Sequence, residues 1–137
     1  MLALIAFNCT SAGVERGSHV CAVYCRFCFR REMVGPGKAT ALSEAAYRDA
    51  LDYIRGHKEI WEVILTGGDP LMLSPRRLAE IMADLAAIDH VRIARIHTRV
   101  PVAAADRIDG DMLVSVRTTS GGWNRRTPFV VNDVTSV

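Results

Sequence analysis

Four cysteines stand at positions 9, 21, 25 and 28, and three of them fall in the run Cys21-Ala-Val-Tyr-Cys25-Arg-Phe-Cys28. With Cys this rare, two more at fixed offsets from a given one arise by chance about once in a thousand trials. Short spacers let one loop wrap a compact centre, so three thiolates can converge on a single site. Thiols clustered this tightly in a chain expected in the cytoplasm point to a metal rather than to a disulfide. A structural zinc site usually takes four ligands, often as two separated pairs, and an ordinary four-iron cluster takes four Cys. Three ligands on one loop would leave one iron of such a cluster open to a further ligand. Cys9 could complete a four-Cys zinc or electron-transfer site, but its distance from Cys21 matches no known spacing, and an ordinary thiol is expected there.

Two further runs carry polar groups at useful places. Thr66-Gly67-Gly68-Asp69-Pro70 lies between a strand-like and a helix-like segment. Paired glycines there allow a tight turn and close approach of the backbone to a ligand. Arg95, His97, Thr98 and Arg99 gather at the end of the next strand-like run. Carboxyl ends of parallel strands are where α/β folds place ligands, and such a group suits an anionic cofactor or substrate.

The elements that must hold these residues follow from periodicity. Tyr47, Ala50, Leu51 and Ile54 make one face of a helix that Ser43 can cap and Gly56 can stop. Trp61 to Thr66 reads as a buried strand. Ser74-Pro75 is a cap and first-turn pair before the stripe Leu78, Ile81, Met82, Leu85. Val91 to Ile96 is a second strand, which completes a βαβ unit with an expected right-handed crossover. A weaker helix is expected over 106–114. The first twenty residues open with a short apolar run and then turn small and polar, with no clear element. Beyond Ser120, Gly121, Gly122, Asn124, Pro128 and Asn132 interrupt any period, and Phe129-Val130-Val131 is the only apolar run; a frayed end or a departure from family is expected there.

With Phe27 just before the last Cys, the cysteine spacing resembles the signature of the radical S-adenosylmethionine (SAM) superfamily. Three runs taken together are similar to the lysine 2,3-aminomutase family: Cys25-Arg-Phe-Cys28-Phe29-Arg30-Arg31, Leu65-Thr66-Gly67-Gly68-Asp69-Pro70-Leu71 and His97-Thr98-Arg99-Val100-Pro101-Val102. The similarity spans roughly residues 19–116, with the motifs in family order. Phe29 resembles the branch that makes (R)-β-lysine for elongation factor P. The resemblance implies a [4Fe-4S] cluster on Cys21, Cys25 and Cys28, with SAM chelated to the open iron and cleaved reductively to a 5′-deoxyadenosyl radical. It implies a cradle for SAM at Gly67, Gly68 and Asp69, with His97 and Arg99 also facing cofactor. It implies a catalytic role for Arg30, whose guanidinium would bind the substrate carboxylate. The reaction would move the amino group of lysine from C2 to C3, on pyridoxal 5′-phosphate, with an external electron donor.

The implied fold is α/β, a partial (βα) barrel fragment of the radical SAM type, organised as an N-terminal segment over 1–20, a partial core over 21–116 and a divergent tail over 117–137. Neither Lys38, in a Gly-Pro-Gly loop, nor Lys58, near a helix end, suits a Schiff-base lysine. The strand expected just before Cys21 is poor, since 14–19 lacks an apolar run. A truncated or frame-shifted product is therefore expected, with two competing readings: a non-catalytic remnant that binds a cluster, or a zinc or iron-sulfur module without radical chemistry.

Composition narrows the remaining classes. Of the basic residues fifteen are Arg and two are Lys. A net charge of +2 gives no reason to expect nucleic acid or a membrane surface as partner. Half the residues are hydrophobic, as in a globular chain, yet no apolar run reaches the roughly 20 residues of a membrane helix. The expected partners are a small amino acid and a reductant, with self-association into a homo-oligomer left open. Reading the surrounding DNA tests the truncation: a continuation of the barrel should appear in some frame, and its absence from all of them would reject it.

Overall fold

Strands and helices alternate along the chain: β1 (Leu4–Asn8), α1 (Glu44–Gly56), β2 (Glu62–Thr66), α2 (Pro75–Ala86), β3 (Ile93–Thr98), α3 (Val100–Ala103), α4 (Gly110–Arg117) and β4 (Val130–Asp133). This computed structural model describes residues 4–8, 21–28, 44–66, 68–117 and 130–133. The four strands form one sheet in the order β1-β2-β3-β4. Every neighbouring pair is parallel, with Leu4 opposite Glu62, Glu62 opposite Ile93 and Arg95 opposite Val130. A parallel pair needs a crossover rather than a hairpin, and a helix lies between each pair of consecutive strands. The order never reverses, unlike that of a doubly wound sheet.

One core explains why these helices form. Tyr47, Leu51 and Ile54 of α1, and Leu78, Ile81, Met82 and Leu85 of α2, join Val63, Leu65, Ala94 and Ile96 in a single apolar cluster. Both helices therefore cover the same face of the sheet. Met112 adds α4 to that cluster. Ser74 caps α2 as its sequence requires: its Oγ accepts from the Arg77 N–H at 3.3 Å, with Pro75 in the first turn. Between the two helices, the Tyr47 hydroxyl donates to Asp84 Oδ2 at 2.7 Å, and the Arg77 guanidinium lies over the Tyr47 ring, 4.7 Å from its centroid. Burial and the Asp84 carboxylate push the Tyr47 phenol well above its ordinary range. Among the described residues no helix is long and apolar enough to cross a membrane.

Strand β2 is buried along its whole length, whereas β3 alternates between buried and half-buried positions. Val63 and Leu65 belong to the core cluster, but Ile64 between them does not, so the sheet has a second face. On it Arg95 Nε donates to Glu62 Oε1 at 2.6 Å, across β2 and β3. Only 9% of the Glu62 side chain is exposed, and this partner offsets the hydration its carboxylate loses.

Several boundaries differ from the sequence reading. The second strand begins at Ile93 and runs to Thr98, because the N–H groups of Arg92 and Ile93 both turn to the Trp61 carbonyl before the ladder starts. The helix expected over 106–114 is displaced to Gly110–Arg117, after a single turn at Ala105–Arg107, with the Asp109 carboxylate accepting from the Met112 N–H at 2.8 Å. The opening apolar run is strand β1, and within the tail Val130–Asp133 pairs with β3. Ser43, Cys9, Lys38 and residues 14–19 lie outside the described residues.

Leu78→Ala, at a position with no exposed surface, should lower unfolding stability by about 2–5 kcal/mol. Val102→Ala, at a residue 70% exposed, should stay within about 0.5 kcal/mol. Urea titration followed by circular dichroism checks both, and equal effects would contradict this placement of the core.

Candidate metal and cofactor site

The loop from Cys21 to Cys28 is shaped by a turn at Arg26 and Phe27, closed by the Cys28 N–H donating to the Cys25 carbonyl at 3.2 Å. Cys25 is exposed, and Cys21 and Cys28 are half-buried; all three are free thiols. Phe27 projects into solvent at 81% exposure, with the Arg26 guanidinium 5.6 Å from its ring centroid.

Cys21 meets the turn that follows β2. Burial is the main cause that pushes its thiol up to about 11, and the Asp69 carboxylate adds to it. The Asp69 backbone N–H pulls the other way, and Cys28 and Cys25 raise the value a little further. Cys21 therefore lies within electrostatic reach of Asp69, Cys25 and Cys28, although Asp69 is far from it in sequence. Among the described residues no three His, Cys, Asp or Glu side chains form a closed metal-ligand set.

Asp69 itself is only 8% exposed. Its Oδ1 accepts from the Leu71 N–H at 3.0 Å and from the Thr98 hydroxyl at 2.6 Å, and its Oδ2 accepts from the Arg99 N–H at 2.6 Å. The first of these bonds caps the single helical turn Pro70–Met72. The other two reach the end of β3. A buried carboxylate needs such donors to offset its lost hydration. The side chain expected to face a cofactor thus has both oxygens engaged by the chain, and its backbone N–H is the group turned to the cysteine loop.

Of the remaining residues expected at the site, Gly68 is half-buried in the turn, and His97 and Arg99 are half-buried at the end of β3. Cys21, Gly68, Asp69 and Arg99 are brought to one end of the sheet by β2 and β3 together. Gly67 and Arg30 lie outside the described residues. The roles of two participants are not evident from motifs. Thr98 looks like part of a polar strand end, but it is buried and bonded to Asp69. Glu62 pairs with Arg95 on the sheet face away from the helices; a lone acid inside an apolar strand is the signal that could have marked it.

The donor set suits an iron-sulfur cluster. Three soft thiols on one loop could serve as its ligands, and an N–H turned toward a thiol sulfur is the kind of neighbour that tunes such clusters.

Comparison with known proteins gives the same direction. The family model described as the radical SAM superfamily matches residues 17–115. An L-lysine 2,3-aminomutase of Haemophilus influenzae is 47% identical over 88 residues, covering 64% of this chain and 25% of that protein. An L-lysine 2,3-aminomutase of Escherichia coli is 40% identical over 88 residues, with the same coverage of 64% and 25%. A glutamate 2,3-aminomutase of Clostridioides difficile is 41% identical over 88 residues, covering 64% of this chain and 21% of that protein. The chain spans about a quarter of the length of these relatives.

The geometry makes the metal-free thiols unequal. Exposed Cys25 should react with iodoacetamide at pH 8 well before Cys21, whose rate should keep climbing as pH rises toward its value of about 11. Peptide mapping by mass spectrometry resolves the two, and equal rates at pH 8 would contradict the burial of Cys21 against Asp69.

Proposed function

The chain belongs to the radical SAM superfamily, and we propose that it carries the cluster-binding and SAM-cradling part of a 2,3-aminomutase. The observation that supports this best is the meeting of Cys21 with Asp69, which joins the cysteine loop to the glycine turn at the ends of β2 and β3. In this reading the sheet is part of the wall of a (βα) barrel, as its unreversed strand order suggests.

Cys21, Cys25 and Cys28 would hold a [4Fe-4S] cluster. With SAM bound, that group supplies a 5′-deoxyadenosyl radical when an electron donor reduces it. The chain's own contribution is binding and orientation. Gly67 and Gly68, lacking side chains, let the methionine end of SAM lie against the backbone. Asp69 fixes that turn, and His97 and Arg99 line the neighbouring strand end, where Arg99 suits a carboxylate or phosphate. Arg30, two places after the last ligand, would take the substrate carboxylate in a two-pronged contact that fixes the α-carbon. Pyridoxal 5′-phosphate would carry the migrating amino group, and neither Lys38 nor Lys58 is proposed to anchor it.

Lysine is the proposed substrate, since L-lysine 2,3-aminomutases of several organisms are 40–47% identical to this chain over the matched residues. The cytoplasm is the proposed compartment, where thiols stay reduced.

Anaerobic reconstitution with iron and sulfide, then dithionite and SAM, tests the reading by assay of 5′-deoxyadenosine. The wild-type chain should form it, and Cys25→Ala should form none. Zinc without iron after anaerobic preparation, or no product from an iron-loaded wild type, would reject it. Addition of lysine or glutamate with pyridoxal phosphate then reports the substrate.

A further inference from the structure

Thr98 ends β3 with 2% of its surface exposed. Its hydroxyl donates to Asp69 Oδ1 at 2.6 Å and accepts from the Val100 N–H at 3.1 Å. A hydroxyl that both donates and accepts in a buried place has its rotor fixed. Asp69 answers with its other oxygen, which takes the Arg99 N–H at 2.6 Å. Two strand ends are thereby closed into one network: Thr98, Arg99 and Val100 from the end of β3, and Asp69 from the turn after β2. The turn needs such a tie, because Gly67 and Gly68 are the residue type with the most backbone freedom. Among the described residues the β2–β3 register runs to Leu65 and Ile96, and this network ties the two chains together beyond it.

We propose that Thr98 is a positioning residue for the SAM cradle: by clamping Asp69, it holds the glycine turn after β2 and the polar strand end at His97 to Arg99 as one surface. This rests on the radical SAM reading of the site. The hydroxyl proton of Thr98 is committed to Asp69, so Thr98 acts through that residue rather than on the cofactor. Nothing in the spacing of the motifs assigns it such a role.

The test uses the full chain, wild type, Thr98→Val and Thr98→Ser. Valine keeps the shape and removes the hydroxyl; serine restores it. SAM affinity of the iron-loaded chain is read from the SAM-induced change in the electron paramagnetic resonance spectrum of the reduced cluster. Amide exchange of the unloaded chain is read by mass spectrometry in peptides covering Leu71 and Arg99. Thr98→Val should keep its iron content, weaken SAM binding by about tenfold or more and speed exchange in both peptides, while Thr98→Ser behaves as wild type. A purely structural role would lower the thermal midpoint and leave SAM affinity of the folded protein unchanged, and that result overturns the proposal, as does failure of serine to restore binding. Should the valine variant not fold, Asp69→Asn, whose NH2 must oppose the N–H of either Leu71 or Arg99, must show the same loss, and wild-type affinity there overturns the clamp. A wild-type chain that holds iron and binds no SAM rejects the parent reading and the cradle with it, without recourse to any variant; unchanged exchange in Thr98→Val rejects the clamp alone.

Discussion

The buried carboxylate of Asp69 is the constraint on which the site depends. It accepts three hydrogen bonds, one from Leu71 that fixes the turn and two from Thr98 and Arg99 that fix the end of β3. Removing a carboxylate from water is costly unless donors replace the lost hydration, so the turn, the strand end and the acid must assemble together or not at all. Its N–H then faces Cys21. A ligand-bearing loop, a glycine turn and a polar strand end thus share one residue. Rigid strands beneath supply the frame, as precise sites require.

The sheet that carries this residue divides its labour between two faces. Against α1 and α2 it is apolar without exception at Val63, Leu65, Ala94 and Ile96. On the other face the ion pair of Glu62 with Arg95 lies two residues before His97. A charged pair is a poor way to build a core but a good way to hold side chains in a fixed orientation beside a polar site. The alternation along β3 therefore separates stability from chemistry within a single strand.

Much of this was legible in the sequence because it was local. The stripes of α1 and α2, the Ser74-Pro75 start and the strand ending in Gly67-Gly68 each follow from a few neighbouring residues. The cysteine spacing and the glycine turn were likewise readable as motifs, and the family match over 17–115 agrees with them. What was not legible depends on distant partners. Leu4–Asn8 and Val130–Asp133 are too short to declare themselves, and they become strands by pairing with β2 and β3. The start of β3 moved because the Trp61 carbonyl claims two N–H groups first. Asp69 was visible as a motif member, but its bonds to Thr98 and Arg99 cross a whole helix in sequence, and no periodicity encodes them.

The parallel pairing also orders events during folding. Glu62 lies opposite Ile93 on one side and opposite Leu4 on the other, and the second pairing closes a loop nearly twice as long. Each doubling of loop length adds about 0.6 kcal/mol of closure entropy, so the β2–β3 unit with its α2 crossover is the cheaper nucleus, and β1 docks onto a surface already made. The cysteine loop lies inside the longer loop. Its thiols therefore reach Asp69 only after the platform exists, and iron that arrives early would meet an unanchored loop rather than a site.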